Sequence, residues 1–218
     1  FYETANCIVE SSSNTVDIFA PFYVNEYFGK KSTVRLSGFK RPQRIRLTRI
    51  INAINYLLPR IFVKYRRNVD IFHETYYSAI DNCPISAKRI ITVYDMIHEK
   101  FPEYFPAGNH DSILAEKAFA IRRADHVICI SETTKNDLMQ ILSIPEHKIS
   151  VVYLGSSIRA ECSDEQAGLP NFSKPYILFV GSRIGYKNFD RLLQAYASSR
   201  YLMENFDIVC FGGESISE

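Results

Sequence analysis

Four short apolar runs, each turning polar or to glycine at its end, constrain this fold more than any other feature. They are Val69–His73, Lys88–Asp95, His126–Ser131 and Lys148–Gly155. Each is rich in β-branched residues, the composition of strands. Segments with helical spacing lie between them. Asn109–Arg123 carries Ile113, Leu114, Ala118, Phe119 and Ile121. Ser131–Leu142 opens on a serine suited to cap a helix, has Thr134 three positions on, and is closed by Pro145. Strands alternating with helices predict an α/β fold with a parallel, Rossmann-like sheet. Ligands of open α/β sheets bind beyond the carboxyl ends of the strands. His73, Asp95 and Ser131 are therefore expected on one rim.

A second set of elements follows. The run Tyr176–Val180, bounded by Pro175 and Gly181, reads as a strand buried on both faces. The loop Gly181–Lys187 adds two cations, Arg183 and Lys187. A helix with an apolar stripe at Phe189, Leu192, Leu193 and Tyr196 comes next. A strand, a glycine-bearing cationic loop and a helix N-terminus together bind anions, because free N–H groups and the helix dipole face the ligand. Neither G-x-G-x-x-G nor G-x-x-x-x-G-K-[ST] occurs there, which excludes a dinucleotide fingerprint and a Walker A loop. Asp207–Gly213 reads as the next strand. Ser156–Lys174 is rich in Ser, Glu, Gly and Asp and poor in apolar residues, so it reads as a linker. The division expected is 1–155, a linker at 156–174, and a second Rossmann-like domain begun at 175–218.

The beginning of the chain is less regular. Phe1–Ser13 has helical spacing, and Thr15–Ala20 reads as a strand stopped by Pro21. An α/β fold should carry a strand and loop ahead of that helix. Residues 30–67 hold a dozen Lys or Arg and no acid, with apolar residues from Ile45 to Tyr65. They read as one or two helices broken or kinked at Pro59. Such a basic amphipathic stretch is either a membrane or polyanion contact, through Arg41, Arg44, Arg46 and Arg49, or a helix packed on the sheet with a solvated basic face. No nucleic-acid motif accompanies it, so nucleic acid is not the expected partner. The net charge of +2 adds little. The five cysteines are scattered without C-x-x-C spacing, the pattern of reduced thiols rather than of a disulfide framework or a zinc site. No run approaches the roughly 18 apolar residues of a membrane span. Phe1–Glu10 lacks the basic start of a signal peptide, which points to a cytoplasmic chain.

Taken in order, several segments resemble the family-4 retaining glycosyltransferases of the GT-B fold. They are Asp70–Tyr77 (DIFHETYY), Thr92–Glu99 (TVYDMIHE), Ala124–Thr134 (ADHVICISETT), Lys148–Gly155 and Tyr176–Asn188 (YILFVGSRIGYKN). The resemblance implies two Rossmann-like domains facing across a cleft, an acceptor on the first and a nucleotide-sugar on the second. It implies transfer with retention and no metal or other cofactor, with protein cations neutralising the donor diphosphate. Lys187 matches the family's loop lysine that steadies the departing diphosphate, beside Gly181 and Arg183. The family often places Arg directly after the strand-end glycine, where this chain has Ser182. Tyr94-Asp95 stands where the family commonly has His-Asp. A phenol with a pKa near ~10 is no base at neutral pH, so Tyr94 is expected to hydrogen-bond or stack on a sugar. Asp95 is expected to accept from a sugar or orient neighbours. His73 and Ser131 join them in the sugar cleft, with His98 and Glu99 as weaker rim candidates.

The resemblance places a glycine-rich loop before Phe1 and paired glutamates beyond Glu218, so the chain alone is expected to be inactive. The expected function is transfer of a hexose, mannose from GDP-mannose among the candidates, to a lipid-linked or saccharide acceptor. The setting is bacterial surface-polysaccharide or lipopolysaccharide assembly, at the inner face of an anionic membrane. Two alternatives stay open: a sugar-nucleotide epimerase or glycogen-synthase-like enzyme of the same fold, and a non-catalytic sugar-nucleotide or lipid-binding module.

Overall fold

The computed structural model describes residues 1–24, 34–40, 48–105, 110–156, 172–183 and 185–213. Arg41, Arg44, Arg46 and most of the expected linker lie outside the described residues. The chain divides into two compact units, Phe1–Lys100 with Ala107–Ser157, and Phe101–Pro106 with Ile158–Glu218.

The first unit opens on helix α1, Tyr2–Ser11. Strand β1, Asp17–Tyr23, pairs in parallel with β2, Arg35–Lys40. Two expectations are corrected here. Pro21 does not stop β1. It lies inside the strand, where the register slips between Phe19 and Phe22. A bulge tolerates a residue without an N–H, because the ladder is already interrupted there. Residues 35–40 form a strand, not part of a helix. Gly38 sits against the bulge, and a Cβ there would run into the Ala20 carbonyl oxygen. Arg35 and Lys40 at the ends of β2 leave it a short, charged strand.

Helix α2, Thr48–Phe62, continues past Pro59, where a break was among the expectations. Pro59 cannot donate to the preceding turn, but its carbonyl still accepts from the Val63 N–H at 2.9 Å. The helix is anchored to β1 by Asn55. Its Nδ2 donates to the Phe22 carbonyl at 3.0 Å, and its Oδ1 accepts from the Phe22 N–H at 2.9 Å. One side-chain amide thus serves both backbone groups of the residue that follows the bulge.

Four parallel strands form the main sheet in the order β3-β4-β5-β6: Ile71–Glu74, Lys88–Val93, His126–Cys129 and Ile149–Val151. Short helix α3, Ile97–Lys100, follows β4. Helix α4, His110–Arg122, leads into β5, and α5, Glu132–Leu142, follows it. The core lies between sheet and helices. Ile91, Val93, Val127 and Cys129 from the strands meet Ala120, Ile121 and Leu138 from α4 and α5, all essentially without solvent contact. Burial pushes the Cys129 thiol up to about 11, so it stays protonated. Asp125 fastens the amino ends of β4 and β5, accepting from the Arg89 N–H at 2.8 Å and from Lys88 Nζ at 3.3 Å.

In the second unit, β7, Tyr176–Val180, pairs in parallel with β8, Asp207–Phe211. Helices α6, Phe189–Ala197, and α7, Arg200–Asn205, connect them. Phe179 meets Phe189 with ring centroids 4.7 Å apart, and Phe189 is buried. The expectation that β7 is buried on both faces is not met. Tyr176, Leu178 and Val180 point away from the buried side and are exposed, while Ile177 and Phe179 are half-buried. Only the face of this two-stranded pair that carries Phe179 packs on Phe189.

Candidate functional site

The rim of the first unit is built where the strands end. His73 pairs with Ile90, well below the last residue of β4, so its side chain reaches upward to Thr92. His73 Nε2 lies 2.9 Å from Thr92 Oγ1. The Phe1 ring stands edge-on to His73 at 5.1 Å and to Tyr94 at 6.3 Å, which brings those two candidates to one aromatic neighbour. Burial pushes the His73 imidazole below its usual value and the Tyr94 phenol above its own. Both groups are therefore held neutral, as hydrogen-bonding rather than charged partners.

The strand expected to end on His73 continues one residue to Glu74. Its buried carboxylate is gripped by Arg123 at 2.6 Å. Burial pushes this carboxyl up, against the opposing pull of Arg123.

Tyr94 and Asp95 lie just beyond β4. The Tyr94 carbonyl accepts from Thr134 Oγ1 at 3.2 Å. Thr134 in turn meets Ser131, whose Oγ accepts from the Thr134 N–H at 3.1 Å and caps α5. Asp95 Oδ1 accepts from the Ile97 N–H at 3.2 Å, folding the chain into a tight turn before α3. Ser131 and Asp95 both carry local backbone work, and the Ser131 hydroxyl also meets Thr134 Oγ1 at 3.0 Å.

Sequence reasoning missed the residue that ties this rim together. Lys117 of α4 is buried, and its Nζ donates to the Asp95 carbonyl at 2.8 Å and to Glu99 Oε2 at 2.9 Å. It also sits over the Tyr77 ring at 5.5 Å. Burial pushes the Tyr77 hydroxyl far up, and the Asp95 charge adds to this. A signal was present: Lys117 falls three residues after Leu114 and four before Ile121, on the apolar stripe of its helix. Glu99, a weak rim candidate, is the anchor of this ion pair, with its carboxylate turned inward.

The loop of the second unit is shaped by backbone. Gly181 has φ 113° and its N–H donates to the Phe211 carbonyl at 2.9 Å. A Cβ on Gly213, at φ 74°, would press on the Gly181 carbonyl, so the two loops need glycine to come this close. Arg183 Nη1 donates to the Gly212 carbonyl at 2.7 Å, bracing the same pair of loops. Gly185–Lys187 form one turn of 3-10 helix, and Asn188 takes a left-handed conformation, φ 58°, at the start of α6. No side chain caps that helix. Lys187 is exposed, its Nζ 5.1 Å from the Tyr186 ring, and Tyr186 meets Phe105 at 5.7 Å. A cation at an uncapped helix start is unfavourable to the dipole unless an anion joins it.

The predicted residues thus fall into two groups, His73, Tyr94, Asp95 and Ser131 in the first unit and Gly181, Arg183 and Lys187 in the second. Of the basic patch only Arg49 lies within a described element, α2. Among the described residues no three His, Cys, Asp or Glu side chains converge to hold a metal ion. A cavity of about 440 Å³ opens at the opposite, amino ends of β4 and β5, between Lys64, Cys83, Arg89 and Asp125. Two of its charges are paired, Arg89 with Asp81 and Asp125 with Lys88.

Comparison with curated proteins finds no match to the chain. The family model of Glycosyltransferase Family 4 matches residues 2–158, well over half of the 218. That span holds the parallel sheet and the whole rim from His73 to Ser131, and on it the chain belongs to glycosyltransferase family 4.

Proposed function

We propose that the chain takes part in moving a hexose from a nucleoside-diphosphate sugar to a saccharide or lipid-linked acceptor, with retention of configuration. The observation that carries this reading is the loop before α6. There an exposed Lys187 meets an uncapped helix N-terminus reached through the positive-φ residues Gly181 and Asn188. As the bond between sugar and diphosphate breaks, negative charge gathers on the leaving phosphate. Lys187 and the free N–H groups of α6 stabilise that charge without having to reorganise. Arg183 holds the loop against Gly212 and stands beside the same phosphates. On the acceptor side, Tyr94, Asp95, His73 and Ser131 orient hydroxyls by hydrogen bonds, with Tyr94 donating rather than removing a proton. Mannose is the first donor sugar to test, and surface-polysaccharide or lipopolysaccharide assembly is the setting that fits a lipid-linked acceptor.

Titration calorimetry with GDP and UDP tests the carrying observation. Lys187→Ala should weaken diphosphate binding at least about tenfold, in line with the loss of one charge-assisted contact. Equal affinity in both proteins would remove the loop from the donor site.

A further inference from the structure

We propose that Phe105 positions the Lys187 cation through Tyr186, and that this is the task of the short segment that carries Phe105. Phe101–Pro106 packs with the second unit, although Lys100 before it and Ala107 after it belong to the first. Its start is held on the first unit, where Glu99 pairs with Lys117 and Lys100 Nζ donates to Asp137 Oδ1 at 2.8 Å. One turn of 3-10 helix, Pro102–Tyr104, follows. The Tyr104 N–H donates to the Phe101 carbonyl at 3.1 Å and the Phe105 N–H to the Pro102 carbonyl at 3.0 Å, so Phe105 leaves a closed turn. The half-buried Phe105 ring meets Tyr186 at 5.7 Å. Beside it the Tyr104 carbonyl comes close to Gly185, where a Cβ would stand 3.6 Å from that oxygen. Two neighbours on the segment thus rest on two neighbours in the loop before α6.

Tyr186 is also the ring beside Lys187, whose Nζ lies 5.1 Å from its centroid. Among the described residues Lys187 makes no ion pair. The kind of partner matters. A carboxylate would neutralise the ammonium and compete with an incoming anion. A ring carries no net charge, so it narrows the range of a long, flexible side chain and leaves the full charge for a ligand. Ordering the cation before the ligand arrives removes part of the cost of binding. Tyr186 itself is 41% exposed in a single turn, so the contact with Phe105 is what limits its ring. Phe105 touches no phosphate in this scheme and acts only by fixing Tyr186. The inference rests on the reading of Lys187 as the cation that meets the diphosphate.

A double-mutant cycle on the full chain tests this, with GDP and UDP as probes in titration calorimetry. Tyr186→Leu and Phe105→Ala should each weaken nucleotide binding about two- to fivefold, the range of an exposed cation–π contact. Phe105→Tyr keeps the ring and should restore the affinity. In a Lys187→Ala background neither change should weaken binding further. A merely structural role would lower affinity in both backgrounds and would overturn the proposal. A second readout needs no ligand. The lysines are given isotope-labelled methyl groups, and the resonance missing from Lys187→Ala identifies Lys187. Phe105→Ala should move that resonance toward the position of a free lysine, and an unmoved resonance would overturn the proposal. So would tighter nucleotide binding by Tyr186→Leu, since the ring would then compete with the diphosphate. Equal affinity in wild type and Lys187→Ala would sink the donor reading instead, and the resonance would still decide whether Phe105 fixes the cation. If Phe105→Ala fails to fold, Phe105→Leu, which keeps bulk but not the ring, takes its place.

Discussion

Lys117 and Glu99 form an ion pair 2.9 Å long whose side chains are only 4% and 9% exposed. Two charges so far from water are tolerated because each has a partner, and Lys117 has a second one in the Asp95 carbonyl. Removing one partner strands the other. Lys117→Ala is predicted to cost about 3–5 kcal/mol. The double variant Lys117→Met, Glu99→Leu should recover most of that loss, since no charge is left unpaired. Urea midpoints of the three proteins check both statements.

The bulge of β1 makes a second prediction. Gly38→Ala puts a Cβ into the Ala20 carbonyl, where backbone rather than a flexible side chain must give way. A loss of about 1–3 kcal/mol is expected. An alanine tolerated without change in the thermal midpoint would show that the strands part easily here.

His73 sets a pH dependence. Its imidazole is held below the ordinary value by burial, so the unfolded chain binds the proton more readily than the folded one. The His73 contribution is complete above the ordinary histidine value of about 6.5 and is lost as pH falls below it. Wild type should therefore lose more stability than His73→Gln between about pH 7 and 5. Equal losses, read from urea midpoints at the two pH values, would assign the acid sensitivity elsewhere.

Ser131 is a helix cap whatever else it does. Ser131→Ala should cost about 1 kcal/mol, and Ser131→Asp should restore it, because a carboxylate accepts the same Thr134 N–H. If the aspartate restores the thermal midpoint but not binding of a sugar acceptor, the hydroxyl has a second role at the rim.

The main sheet was legible because β4 and β5 carry unbroken β-branched runs, and Ser131 announced α5 by its own chemistry. Strand β2 was hidden: Arg35-Leu-Ser-Gly-Phe-Lys40 lacks such a run, and the long basic stretch around it has helical spacing. Pro21 misled because a proline in a strand is compatible only with a defect, and the bulge becomes visible only when Gly38 comes alongside. At the rim, the polar ends of the apolar runs pointed to His73, Asp95 and Ser131, and the family resemblance added Tyr94. Lys117 escaped because its partners, Glu99 and Asp95, lie 18 and 22 residues away. Such a bond is a product of packing rather than of local spacing.

The amide of Asn55 has a consequence for the outside of the molecule. It reads the N–H and the carbonyl of Phe22 together, so α2 cannot roll or slide without surrendering both bonds at once. One residue of slippage turns a helix by about 100°, enough to swing Leu57 from the surface toward the sheet. The bearing of the exposed stripe, Ile50, Leu57 and Ile61, is thus set from within, by an interior polar group acting as a key in a lock. Evolution can vary the aliphatic residues along that stripe without disturbing its aim, but a change at position 55 would re-aim the whole surface.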